Sequence, residues 1–137
     1  MPNLKLYNPK DFTRYTLVGS SGVLVNLGIY ILLTRHFAFP KELAPIIAIE
    51  ASVLSNFFLN NFWTFKKRTT KVPLTSRLFK FHLVVGISGV LNYLVFFFLF
   101  KVILINDLLA NLAGISIAAA LNYLINSSWT WRDEGQA

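Results

Sequence analysis

Four long apolar stretches, separated by short polar clusters, dominate the chain. They are Tyr15–Thr34 (YTLVGSSGVLVNLGIYILLT), Leu43–Phe65 (LAPIIAIEASVLSNFFLNNFWTF), Leu83–Phe100 (LVVGISGVLNYLVFFFLF, continuing past Lys101 to Ile105) and Leu108–Trp129 (LLANLAGISIAAALNYLINSSW). The only charges inside them are Glu50 and, in the extension of the third, Lys101. About 20 apolar residues in a helix cross a bilayer core of roughly 30 Å. Inside lipid the backbone must satisfy its own hydrogen bonds, so runs of this kind are helices. A soluble bundle needs a charged face on each helix, and these runs offer almost none. The pattern therefore predicts an all-α integral membrane protein with one four-helix domain over 1–137. Its spans lie near 15–34, 43–65, 83–105 and 108–129, with a connecting loop at 66–82. The first run is too long for the apolar core of a signal peptide and no small-residue cleavage site follows it, so it is expected to remain as a span.

The chain also resembles itself. LVGSSGVL at Leu17–Leu24 matches VVGISGVL at Val84–Leu91, an offset of 67, and NFFLNNFWTFK at Asn56–Lys66 matches NYLINSSWTWR at Asn122–Arg132, an offset of 66. A unit of two spans returns to the side on which it began, so the halves are expected to be parallel two-helix repeats. On the second and fourth runs the match defines a line with a spacing of four: Ala48, Ser52, Asn56, Asn60 and Thr64, then Gly114, Ala118, Asn122, Asn126 and Thr130. Such residues share one helix face. Small residues there allow close helix approach and amides can bond across the contact. Gly19, Gly22, Gly86 and Gly89 are expected to serve as the small residues on the first and third runs. The expected picture is a bundle whose second and fourth helices share a polar half.

Composition sharpens this picture. Of 137 residues, 55% are hydrophobic and 14% charged, against about 25% charged in an ordinary soluble domain. The mean hydropathy is +0.55, which excludes intrinsic disorder and argues against a soluble enzyme. Cysteine is absent, and two His and six acidic residues make neither a metal site nor a cofactor site expected. The net charge of +7 suits either nucleic acid or an anionic membrane surface. Lys5, Lys10 and Arg14 precede the first run. Lys66, Lys67, Arg68, Lys71, Arg77 and Lys80 fill the middle loop, and Arg132 follows the last run. These ten cations fall on one side, against Arg35, Lys41 and Lys101 on the other. The bias puts both termini and the middle loop in the cytoplasm, so a multi-pass protein of the cytoplasmic (inner) membrane is expected. Because the basic residues are tied to the membrane surface, no nucleic-acid partner is expected.

Several groups could carry chemistry. Asn56, Asn60, Asn122 and Asn126 are costly in lipid unless paired, and are read either as interhelical glue or as a polar cleft for a sugar headgroup. Trp63, Trp129 and Trp131 fit an interfacial belt. Lys66, Lys67, Arg68 and Arg132, with Arg77 and Lys80 beyond, fit a lipid phosphate, for which Arg offers bidentate donors; plain attraction to anionic lipid is the competing account. Glu50 is an intramembrane acid and a functional candidate by default; in the second half Ser116 stands at its place. His36 and His82 have no partner at catalytic or metal-ligating spacing. No nucleophile motif or phosphate-binding glycine loop occurs, and the apolar runs hold no carboxylate pair, so no catalytic residue is expected.

Four runs, a basic middle loop, and the strings NFFLNNFWTFK and NYLINSSWTWR resemble the GtrA-like family, over about Arg14 to Arg132. Members act in making cell-surface polysaccharides, and several are thought to move polyprenyl-phosphate sugars across the cytoplasmic membrane. A similar unit is fused to some dolichol-phosphate mannose synthases, where it looks like an anchor. The resemblance places the family's asparagines and cations on Asn56, Asn60, Lys66, Asn122, Asn126 and Arg132. Its branch is most similar to teichoic-acid glycosylation proteins. It departs at Asn61, where many members carry a basic residue. The leading expectation is a flippase for an undecaprenyl-phosphate sugar, working as a homo-oligomer with anionic lipids and a glycosyltransferase nearby. An anchor or activator of such a glycosyltransferase is the alternative, and a small proton-coupled drug exporter using Glu50 is the third.

Overall fold

The computed structural model describes residues 7–134, so Lys5 lies outside the described residues. It contains four α-helices: α1 (Pro9–Ile31), α2 (Ala44–Leu59), α3 (Leu74–Phe97) and α4 (Asp107–Ile125). Among the described residues there is no strand. Local sequence sets the starts. The Asn8 side chain accepts a hydrogen bond from the Lys10 N–H at 3.0 Å, with Pro9 at the first helical position. Asn106 accepts from the Leu108 N–H at 3.0 Å. Both are favoured caps, and Pro at the first turn forfeits no helical hydrogen bond. Pro73 precedes α3, and Pro45 sits in the first turn of α2.

Each helix ends in one π-helical turn of five residues: Leu32–His36, Asn60–Thr64, Phe98–Val102 and Asn126–Thr130. The N–H groups of Phe37, Phe65, Ile103 and Trp131 close these turns on carbonyls five residues back, at 2.8–3.3 Å. After the turns of α1 and α3 the chain reverses through Ala38 and Leu104, with φ of 48° and 63°. The left-handed region costs a side-chain-bearing residue about 1 kcal/mol or more. Leu104 is 81% exposed and has little packing to lose. Leu104→Gly is accordingly expected to stabilise the protein by about 1 kcal/mol, read as a higher midpoint in detergent unfolding.

The chain divides into two compact units, one spanning Asn8–Lys67 with α1 and α2, the other carrying α3 and α4 from Arg68 onward together with Tyr7. Each is a helical hairpin. In the first, Tyr15, Val18 and Gly22 of α1 are buried, as are Ala44, Ala48, Phe57, Asn60, Thr64 and Phe65. In the second the buried positions are Phe81, Val84 and Ser88, then Ala110, Gly114, Ala118, Tyr123, Asn126, Thr130 and Trp131. Most correspond at a constant separation of 66, including the first pair, Tyr15 and Phe81. The sequence match placed α1 and α3 at 67, one residue out of step with this pattern. As a result Gly86 and Gly89 do not perform the role expected of them. A Cβ at either, or at Gly19, would meet nothing within 4 Å. At Gly22 it would lie 2.5 Å from Asn56 Oδ1, and at Gly114 2.5 Å from Asn92 Oδ1. The close approaches are thus Gly22 on α2, and Gly114 on α3.

Three helices, with their π turns, are long and apolar enough to cross a bilayer: Pro9–His36, Leu74–Val102 and Asp107–Thr130, with mean hydropathy 1.8, 2.3 and 1.8. Only 11%, 11% and 22% of their most apolar stretches are buried. Exposed apolar surface on this scale is not that of a soluble monomer. The second helix falls outside this group, because Glu50, Asn56, Asn60 and Asn61 dilute it. A second difference concerns the middle loop. Helix α3 begins at Leu74, so 74–82 is helix rather than loop, and Arg77 and Lys80 stand on its first two turns. Counting apolar residues missed these turns because they are amphipathic.

Candidate functional site

The asparagine line faces inward within each hairpin. Asn60 and Asn126 are buried, and Asn56 and Asn122 half-buried. Asn126 Nδ2 donates to Asn122 Oδ1 at 2.6 Å, and Asn126 Oδ1 accepts from the Thr130 hydroxyl at 2.7 Å. Asn60 Oδ1 accepts from the Thr64 hydroxyl at 2.8 Å. Each Asn–Thr pair staples one π turn from the side-chain side, which locks the geometry of the Trp between them. Between helices, the Ser52 hydroxyl donates to the Gly22 carbonyl at 2.8 Å. Asn56 Oδ1 differs from the rest of the line: it is buried with no hydrogen-bond partner. Glu50 is exposed, off the buried line of α2.

The cations divide into different roles. Lys66, Lys67 and Arg132 are exposed. Arg68, expected on a lipid phosphate, instead caps a helix end: its Nη1 donates to the Ser127 carbonyl and, at 3.1 Å, to that of Trp131. Its neighbour Thr69 receives the Glu134 N–H at 2.8 Å on its carbonyl and gives its own N–H to Asp133 Oδ1 at 3.2 Å. The physical reason is general. The last carbonyls of a helix have no partner within it and attract a cation. Arg68→Ala is expected to cost about 1.5–3 kcal/mol, the range for hydrogen bonds from charged groups, measured as a loss of unfolding midpoint; Lys67→Ala should cost little. Arg77 Nε donates to the Val72 carbonyl at 3.1 Å, which braces the start of α3. His82 Nδ1 lies 2.9 Å from the Leu78 carbonyl on its own helix.

The tryptophans divide as well. Trp63 and Trp129 are 40% and 43% exposed. Trp131 is 1% exposed and is core, its ring edge-to-face with Phe81 at 5.5 Å. The expectation of an anchor there is corrected: one residue beyond the π turn, the chain has rotated the ring back onto α3. Tyr15 and Phe65 make the corresponding pair in the first hairpin, at 6.0 Å.

One arrangement was not anticipated. The guanidinium carbon of Arg14 lies 5.6 Å from the Trp63 ring centroid, and Lys80 Nζ lies 5.0 Å from that of Trp129. Arg14 and Lys80 are 66 residues apart, as are the two tryptophans. The signal was in the chain, hidden by the offset of 67, which sets Arg14 against Phe81.

Comparison with known proteins gives the family. The model of the GtrA/DPMS transmembrane domain matches residues 14–134. The chain is 41% identical over 118 residues to a dolichol-phosphate mannosyltransferase of Pyrococcus furiosus, covering 86% of this chain and 33% of that protein. The chain thus spans about a third of that relative's length. It is a multi-pass membrane protein, the cytoplasmic membrane being its expected location, and it belongs to the GtrA/DPMS transmembrane domain family.

Proposed function

We propose that this protein binds a polyprenyl-phosphate sugar in the cytoplasmic membrane and carries its headgroup across, with the prenyl chain remaining in lipid. On this reading all four helices cross the membrane, including the 16-residue α2 with its π turn, and the termini and the connection after α2 face the cytoplasm. Exposed Lys66 and Lys67 in the first hairpin, and Arg132 in the second, each attract phosphate, and Arg68 takes no part. The observation that carries the reading is Asn56 Oδ1, a buried acceptor without a donor in an otherwise bonded line. Such an atom costs about 1–3 kcal/mol, and a sugar hydroxyl would supply the missing donor once α1 parts from α2 at Gly22, against which the Asn56 side chain packs.

The test is transbilayer exchange of a labelled undecaprenyl-phosphate hexose in vesicles holding the purified chain. Exchange should exceed that of protein-free vesicles and fall about tenfold in Asn56→Leu, the equivalent of one hydrogen bond of about 1.4 kcal/mol. Equal exchange with and without protein removes the reading.

The chain's match to one third of a mannosyltransferase favours a second reading, in which it anchors or activates a separate glycosyltransferase that loads the carrier. Neutralising Lys66 and Lys67 would then release that enzyme from membranes. An enzyme that stays bound and active removes this reading.

A further inference from the structure

The cation–tryptophan pairs occur once in each hairpin, at corresponding positions. We propose that each is a station for the phosphate of an anionic lipid headgroup, so that one chain holds two such phosphates, at sites distinct from Lys66, Lys67 and Arg132. The inference does not depend on translocation.

Four features of each station support it. First, the tryptophan is in a fixed place. Trp63 lies in the π turn closed by Asn60 and Thr64, and Trp129 in that closed by Asn126 and Thr130. Second, the cation is held over the ring rather than free to sweep the surface. A ring face attracts a cation by about 0.5–2 kcal/mol, and this reduces the side-chain entropy lost when an anion arrives. Third, both tryptophans remain about 40% exposed, so a ligand can reach the edge of the pair. Fourth, each cation is half-buried, and in such surroundings a charge interacts more strongly with a second ion than it does in water.

The first station has more. Pro9, Lys10, Thr13 and Arg14 line a shallow depression of about 350 Å³, which brings a second cation to the same place. Tryptophan favours headgroup depth, and the anion available there is a lipid phosphate. Arg14 can hold two phosphate oxygens at once, whereas Lys80 is a point charge. The first station should therefore bind more tightly than the second.

Native mass spectrometry of the full chain in a neutral detergent, titrated with phosphatidylglycerol, tests this. Two lipids per chain are expected at the stations, counted in a Lys66→Gln, Lys67→Gln and Arg132→Gln background so that those three cations add none. Arg14→Gln and Lys80→Gln should each remove one, and the double variant both. Arg14→Lys and Lys80→Arg should keep two, which excludes simple misfolding as the cause. Trp63→Phe and Trp129→Phe should each weaken one site severalfold, since the smaller ring holds a cation less well. Lys101→Gln is the control and should leave two. Inorganic phosphate distinguishes the sources: displacement of the lipid means that the headgroup alone is recognised, and retention means that the station takes phosphate only when it is lipid-borne. A count unchanged by Arg14→Gln and Lys80→Gln, or abolished instead by Lys66→Gln with Lys67→Gln, would overturn the proposal.

Discussion

Trp131→Ala is expected to destabilise the protein by about 3–5 kcal/mol, the usual cost of emptying a buried tryptophan site, whereas Trp129→Ala should cost about 1 kcal/mol. The two residues stand two positions apart in one sequence string, so composition and depth are matched and only burial differs. Trp131 is enclosed at 1% exposure. Its ring packs against Phe81, its N–H closes the π turn on the Asn126 carbonyl at 2.9 Å, and its carbonyl receives Arg68. Truncation leaves the backbone bonds but removes the ring that fills the space between α3 and the end of α4. Trp129 loses a partly exposed ring and one cation contact. Trp131→Phe should cost far less than the alanine variant, because the first hairpin uses Phe65 at the corresponding place. Reversible unfolding in mixed detergent micelles reads all three variants. Equal losses for Trp129→Ala and Trp131→Ala would mean that both rings serve as interfacial anchors.

The contrast shows what the sequence made visible. Long apolar runs were enough for the helices, since nothing else satisfies a backbone in lipid. The four-residue line on α2 and α4 was also legible, because its period is that of a helix face. Three things were hidden. The π turns depend on a hydrogen-bond shift that no residue type announces, although Asn60 with Thr64 and Asn126 with Thr130 are its side-chain trace. The role of Arg68 follows from the bare carbonyls at the end of α4, which lie distant in sequence. The register of α1 against α3 was misjudged because two similar glycine strings aligned more readily than the buried positions Tyr15, Val18 and Gly22 did with Phe81, Val84 and Ser88. The same slip concealed the Arg14–Trp63 and Lys80–Trp129 pairs and credited Gly86 and Gly89 with a contact they do not make.

The glycines supply the second large effect. Gly114→Val should cost about 3 kcal/mol, at the upper end of overpacking penalties, and Gly114→Ala somewhat less. A Cβ at Gly114 would lie 2.5 Å from Asn92 Oδ1 and 2.8 Å from the Asn92 backbone carbonyl oxygen. The side chain can turn aside; the carbonyl is part of α3 and can move only if the helices separate. Gly22→Ala is the informative comparison. There the three nearest atoms, at 2.5–2.9 Å, all belong to the Asn56 side chain. Shortening that side chain should relieve the clash, so Asn56→Ala in the Gly22→Ala background should recover stability, a coupling that a double-mutant cycle reads directly. Asn92→Ala should not rescue Gly114→Ala, because the backbone oxygen stays where it is. Gly89→Ala meets nothing within 4 Å and should gain about 0.5–1 kcal/mol from helix propensity alone. If Gly89→Ala instead proved as harmful as Gly114→Ala, the contact in the second hairpin would run through the glycine string of α3, and the constant separation of 66 between corresponding positions would have to be abandoned.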